Sequence, residues 1–149
     1  MTEADFSGKK LGAAGAQILA AFMSTKLFEA KGSLSKLDLS GNNKYGFESP
    51  DFIRPIASAL KTNTSITELS ISGNNLNPEA ASIFSDAIPD TGQLSKLTFG
   101  LRTPVTVEIG MTEADFSGAS MGTGGAIILA VWLKHKVENM SRLMMITSD

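Results

Sequence analysis

The sequence contains no cysteine and a single histidine, His135. Disulfide scaffolds, cysteine nucleophiles and zinc sites built from cysteine and histidine are therefore excluded. Charged residues make up only 19% of the 149 residues and the formal net charge is -2, so no basic field is available to hold nucleic acid. No apolar run approaches the roughly 18 residues that a membrane span requires. These absences argue against nucleic-acid binding and membrane insertion.

The N-terminal segment also lacks the features of a secretory signal. It carries Glu3 and Asp5 where such a signal has basic residues followed by an apolar stretch. Together with the missing cysteines, this leads us to expect a cytoplasmic protein. The hydrophobic fraction of 42% allows a sizeable core, and the length predicts a single domain over residues 1–149.

Internal repetition is the strongest feature of the sequence. The octapeptide at residues 1–8 returns unchanged at residues 111–118, and a looser likeness continues into the apolar stretches that follow. Residues 34–43 and 66–76 share a second pattern, with leucine or isoleucine at positions 1, 4 and 6 and asparagine at position 9. Shorter relatives complete a series of six units, which start near residues 1, 34, 66, 94, 111 and 140.

These blocks resemble the leucine-rich repeat, and specifically its ribonuclease-inhibitor-like subclass, in which a strand and an outer helix recur about every 28 residues. The resemblance covers essentially the whole chain. It implies an α/β fold, a short curved solenoid with a parallel concave sheet and convex helices, in which the repeat near residues 94–110 is truncated. Lys9 and Ala119 replace the family's asparagine, which satisfies backbone groups where the strand bends into the loop. The resemblance therefore implies other bonding at those two bends.

The periodicity of apolar residues predicts the elements of each unit. We expect parallel strands, side by side in chain order, near residues 3–6, 36–39, 68–71, 96–99, 113–116 and 142–145. Helices are predicted near residues 13–24, 53–61, 78–88 and 123–135. The predicted core takes apolar side chains from both kinds of element: Phe6, Leu11, Leu19, Phe22, Leu37, Leu39, Ile56, Leu60, Leu69, Ile71, Leu76, Phe84, Leu97, Phe99, Phe116, Leu129 and Leu143.

Residues 101–110 break the repeat, because too few residues remain there for a strand, a turn and a helix. Val105, Val107 and Ile109 alternate with polar residues, which predicts an extended segment. Two paths are open to it, a connection along the convex side or a hairpin arm. We favour the convex connection.

No group of residues in the sequence indicates a catalytic, cofactor-binding or metal-binding site. The glycine-rich run at 118–125 precedes a predicted helix, but it lacks the Gly-Lys-Ser/Thr ending of a phosphate-binding loop and aligns with an ordinary turn at residues 8–15. His135 lies between Lys134 and Lys136 near a predicted helix end, where positive charge is favourable. We therefore expect no catalytic residue, no cofactor and no metal, and a protein that is not an enzyme.

The outward third position of each unit alternates in charge. It holds Glu3, Lys36, Glu68, Lys96, Glu113 and Arg142 in turn. Parallel strands in register would place each charge beside opposite ones, so we predict Lys36 within ion-pair reach of Glu3 or Glu68, and Lys96 of Glu68 or Glu113. A hairpin at residues 101–110 would separate Lys96 from Glu113.

The last predicted strand carries an apolar run at an open edge of the sheet. Met144 and Ile146 occupy positions that are polar or small in earlier units, which makes this edge the favoured partner contact. Arg142 and the outward Asp38 and Asp115 complete the candidate partner-binding residues.

The function that fits these features is a non-catalytic protein–protein interaction scaffold or assembly subunit, which binds through the solenoid edge or the concave face. Its partner is another protein, or a second copy bound through the terminal strand edge. The alternative is a regulator of a small GTPase, because similar repeat proteins include activators of such enzymes. That alternative requires an acidic contact surface, whereas the concave face is nearly neutral.

Overall fold

The structure, a computed structural model, describes residues 3–24, 34–43, 50–137 and 142–144 and has a mixed α/β fold. Its strands are β1 Glu3–Asp5, β2 Lys36–Asp38, β3 Glu68–Ser70, β4 Lys96–Phe99, β5 Val105–Glu108, β6 Glu113–Asp115 and β7 Arg142–Met144. Its helices are α1 Gly12–Met23, α2 Ile53–Thr62, α3 Pro78–Ala87 and α4 Gly122–Lys136, and a short 3-10 helix, Ile88–Asp90, follows α3.

Four parallel strands make up most of the larger sheet. β1 to β4 lie side by side in chain order, and their register aligns Ala4, Leu37, Leu69 and Leu97 in one row. The three leucines of this row are buried, while the residues on either side of each leucine point to the opposite face. One face of the sheet therefore contributes to the core, and the other is open to solvent.

The expected convex path of residues 101–110 is wrong. β5 turns back and pairs antiparallel with β4, so that Val107 lies opposite Leu97 and Val105 opposite Phe99. All four of these side chains are buried, which is the physical reason for the hairpin: the alternating valines complete the apolar face that β4 begins. The reversal depends on Gly100, whose φ is 104°, and a Cβ at that position would lie 2.5 Å from the carbonyl oxygen of Thr103.

The expectation of one continuous series of parallel strands is also wrong. β5 occupies the edge of β4, so β6 cannot pair there, and β6 instead pairs parallel with β7 in a separate two-stranded sheet. The helices nevertheless form an unbroken row, in which α1 packs on α2, α2 on α3 and α3 on α4. Because the unit that begins near residue 94 carries no helix, α4 packs directly on α3.

The helices match their predicted ranges to within one residue at each end. In α2, Pro55 is tolerated because it lies in the first turn, where its missing N–H would have no partner within the helix. In α3, the Asn77 side chain accepts a hydrogen bond of 2.8 Å from the Ala80 N–H, and Pro78 occupies the first helical position.

Most of the predicted core is confirmed. The buried members are Leu37, Leu39, Ile56, Leu60, Leu69, Ile71, Phe84, Leu97, Phe99, Phe116 and Leu129. Leu11, Leu19 and Leu76 are only partly buried against this cluster. Two predicted members are wrong, because Phe6 is 37% exposed and Phe22 is 62% exposed. Both belong to the first unit, which has a neighbouring unit on one side only among the described residues. The side chain of Leu143 lies outside the described part of the structure.

Two buried asparagines join successive units. The Asn74 side chain accepts hydrogen bonds from the backbone N–H groups of Asn42 and Asn43, at 2.8 and 2.7 Å, and donates to the carbonyl oxygen of Leu39 at 3.0 Å. In the same way, the Asn42 oxygen accepts from the N–H groups of Lys9 and Leu11 in the preceding unit.

The bends that lack the asparagine are bonded by other groups, as the resemblance implies. The first bend, where Lys9 replaces asparagine, is held by Asn42 of the next unit. At the fifth bend, the N–H of Ala119 donates locally to the carbonyl oxygen of Phe116 at 3.1 Å. Asn42 thus gives the first bend the same kind of bonds that Asn74 gives the second, whereas a local turn bonds the fifth bend.

Candidate protein-interaction surface

The open face of the larger sheet carries a row of alternating charges. Lys36 Nζ lies 3.3 Å from a carboxylate oxygen of Glu3 and 3.8 Å from one of Glu68, which confirms the predicted contact. The predicted partners of Lys96 are wrong: its Nζ lies 3.7 Å from Glu108, because β5 brings that residue opposite Lys96 in the antiparallel register. The hairpin thus supplies the acid that β6 was expected to supply.

The environment of Lys36 keeps its side chain charged. A hydrogen bond with Glu3, followed by the charges of Glu68 and Glu3, raises the pKa of the Lys36 ammonium group above its ordinary value. The two flanking carboxylates share one cation, so this end of the row keeps a net negative charge.

A second outward strand position carries aspartates that are held by serine turns in both sheets. Asp38 Oδ1 accepts hydrogen bonds from both the N–H and the hydroxyl of Ser40, at 2.9 and 2.6 Å. Asp115 and Ser117 repeat this arrangement in β6. At Asp5, hydrogen bonds from the Ser7 hydroxyl and N–H lower the pKa of the carboxyl group. The hydrogen bonds of these aspartates stabilise the bend of the chain as it leaves the strand.

The structure brings together only some of the residues proposed for partner binding. Asp115 is the register partner of Met144 in the β6–β7 sheet, whereas Asp38 lies in the other sheet. For Arg142 and Met144 the structure describes the backbone alone, and Ile146 lies outside the described residues. Their role as partner contacts stays a prediction.

Two open grooves mark the described surface. One, of about 460 Å³, runs over the exposed face of β1 to β4 and is lined by the Glu3, Lys36, Glu68 and Lys96 row and by Asp38, Ser70 and Thr98. The other, of about 640 Å³, lies between the loop after β3 and the glycine-rich start of α4, with Arg102 at its rim. Within residues 3–24, 34–43, 50–137 and 142–144, no cluster of three or more histidine, aspartate or glutamate residues is placed to hold a metal ion.

Sequence reasoning missed an exposed apolar face on α1. Ile18 is 64% exposed and Phe22 lies one helical turn further along the same side. No local signal in the sequence could have shown it, because the corresponding residues of the fifth unit, Ile128 and Trp132, have similar side chains and are buried. In the described part of the chain, no helix is long and apolar enough to cross a membrane.

The chain has two distant matches among known proteins. They are NACHT, LRR and PYD domains-containing protein 3 of Rattus norvegicus and of Mus musculus, each 27% identical over 108 residues. The match covers 64% of this chain and 10% of each relative, so the chain spans about a tenth of the length of these proteins. No family model matches the sequence. No solved structure matches it either. The distant similarity supports a relationship to leucine-rich-repeat proteins.

Proposed function

We propose that this chain is a non-catalytic protein-interaction domain of the ribonuclease-inhibitor-like leucine-rich-repeat type, a short curved solenoid whose exposed strand face binds a protein partner. Support comes from the similarity to a leucine-rich-repeat protein, from the in-register parallel strands, and from the asparagines that bond one unit to the next. Such repeats present an extended surface on a rigid frame. A cytoplasmic location stays a prediction.

The observation that carries this proposal is the construction of the strand face. Its charges alternate in sign along the outer row, its aspartates are held by serine turns, and its groove is lined by charged residues together with small polar ones such as Ser70 and Thr98. A surface of this kind offers ordered hydrogen-bonding groups and an excess of negative charge, because its carboxylates outnumber Lys36 and Lys96. It suits a folded protein partner of matching polarity.

The alternative, a regulator of a small GTPase, is not favoured. We expected it to require an acidic contact surface, and the carboxylates of Glu3 and Glu68 alternate with the ammonium group of Lys36 instead of forming a continuous acidic run. A further acid in the row, Glu108, is matched by Lys96.

The experiment uses a pair of matched variants. Ser70→Arg places a long cation in the middle of the groove, and Ser82→Arg makes the same change on the exposed side of α3. Proteins captured by the tagged chain from cells are identified, and the purified partner is titrated against each variant by calorimetry. We expect Ser70→Arg to weaken binding about tenfold or more, roughly 1.4 kcal/mol, and Ser82→Arg to bind like the parent. Equal affinity of all three proteins would refute the strand face as the binding surface.

A further inference from the structure

The β4–β5 hairpin leaves a gap in the row of bends that follow the strands. Up to Gly100 the fourth unit runs beside the third, since the N–H of Gly73 donates to the carbonyl oxygen of Gly100 at 2.7 Å. Beyond Gly100 the chain reverses into β5, so within residues 94–110 the fourth unit has no bend of the repeat type. The groove of about 640 Å³ lies at this place, between the third bend, which contains Asn74, and the fifth, which contains Ala119.

The missing bend would carry the acceptor for one particular N–H group. The N–H of Lys9 donates to the Asn42 side chain, and the N–H of Asn42 donates to the Asn74 side chain, at 3.0 and 2.8 Å. Each accepting asparagine thus belongs to the next unit and occupies its ninth position. In the fourth unit the ninth position is Arg102. Among the described residues no side chain accepts from the N–H of Asn74, so this group lacks the acceptor that both of its counterparts have.

The start of α4 forms the far side of the groove. Because the fourth unit has no helix, α4 packs on α3, and a Cβ on Gly124 would lie 2.4 Å from the carbonyl oxygen of Leu76. The absence of a side chain at Gly124 lets the backbone of α4 approach the third bend closely, which fixes the separation of the two sides. The groove is therefore preformed, and its volume is within the range of ligand-binding pockets.

The groove has one charged residue among the described residues that line it, the cation Arg102. Arg102 is exposed and has no ion-pair partner in the described part of the chain. Its neighbour Leu101 is 45% exposed and offers an apolar contact at the rim. The groove thus presents an N–H donor, a cation and an apolar side chain. These groups are complementary to an acidic side chain with an apolar residue close to it.

We propose that this groove binds a short acidic segment of another protein, in which an aspartate carboxylate accepts the hydrogen bond of the Asn74 N–H. The aspartate takes the place that asparagine side chains of the next unit occupy at the first two bends. Asparagine offers an oxygen of the same kind without the charge, so the guanidinium group of Arg102 favours aspartate over asparagine. This site is separate from the strand face, and it does not depend on the partner proposed there.

Titration of the ¹⁵N-labelled full chain with three peptides, followed by NMR, tests the site. One peptide copies residues 71–77, which supply the accepting asparagine of the second bend, and the other two carry Asn74→Asp or Asn74→Leu. We expect the aspartate peptide to shift the backbone amide signal of Asn74 in the protein. It should bind about two- to fivefold more tightly than the asparagine peptide, and the leucine peptide about tenfold more weakly or worse. No shift of this amide with any peptide, or equal binding of the leucine and aspartate peptides, would overturn the proposal.

Matched arginine variants test the recognition of charge. Arg102→Gln removes the cation of the groove, and Arg54→Gln makes the same change on the exposed side of α2, outside the groove. Circular dichroism checks that both variants keep the parent's helix content. We expect Arg102→Gln to bind the aspartate and asparagine peptides equally, and Arg54→Gln to keep the parent's preference for aspartate. A preference that persists in Arg102→Gln, or that is lost equally in both variants, would overturn the proposal and leave the proposed function of the strand face standing.

Discussion

The Asn74 side chain offers the sharpest test of how the units are held together. It is buried and makes four hydrogen bonds, accepting from the N–H groups of Asn42 and Asn43 and donating to the carbonyl oxygens of Leu39 and Ile71 at 3.0 and 2.9 Å. Asn74→Ala removes all four and leaves the N–H groups of Asn42 and Asn43 without this acceptor. Each buried backbone group without a partner costs about 1–3 kcal/mol, so we expect a loss of roughly 2–5 kcal/mol in the free energy of unfolding.

Urea denaturation measures this loss, and the adjacent Asn75 provides the control. Asn75→Ala makes the same chemical change at a half-buried position one residue further along the loop, and we expect it to cost less than about 1 kcal/mol. Hydrogen exchange gives a local readout, because the amides of Asn42 and Asn43 should lose protection in Asn74→Ala alone. If the two variants unfold at the same urea concentration, the asparagine bridge does not stabilise the stack and the reasoning fails.

Three further predictions follow from the open sheet face and the hairpin. Lys36→Glu should lower Tm more than Lys61→Glu on the exposed side of α2, because it sets three acids side by side; equal Tm values would contradict the ion-pair row. The raised pKa of Lys36 implies that its stabilisation is present below pH 10.5 and is lost as the pH rises through the higher folded-state pKa, which alkaline melting curves of the parent and Lys36→Met would show. Gly100→Ala should cost roughly 1–3 kcal/mol in urea, because of its positive φ and the close Thr103 carbonyl, whereas Gly110→Ala, with open space around it, should cost less; the reverse order would refute the turn.

The sequence was sufficient to locate the units and most of the elements, because a strand and a helix each leave a local period. The contact of Lys36 with Glu3 was predictable for the same reason, since register follows once the apolar positions of two units are aligned. The hairpin was not predictable from local pattern. Val105 and Val107 alternate equally well on either path, and the decision depends on the apolar side chains of β4, Leu97 and Phe99, beside which they are buried.

The sequence also could not show which of two aligned apolar residues is buried. Ile18 and Ile128 belong to aligned segments, and one is exposed while the other is buried. The difference arises from α3, which packs on α4, and no property of the helix itself records that neighbour. The candidate aspartates show a related effect. Equivalent positions in the repeat suggested a shared surface, but the hairpin assigns Asp38 and Asp115 to separate sheets.

The β4–β5 hairpin also sets the extent of the proposed binding face. Glu108 continues the alternating charge row opposite Lys96, and Thr106 lies opposite Thr98 with their hydroxyl oxygens 2.9 Å apart, so β5 extends both rows of the open face by one strand. Because β5 runs antiparallel, β6 does not extend the sheet as a further parallel repeat, and the polar rows stop at β5, the edge strand of the larger sheet. The helix row continues past this point through the contact of α3 with α4. The larger sheet and the helix row therefore end at different places, which makes the strand face a bounded surface for the proposed partner.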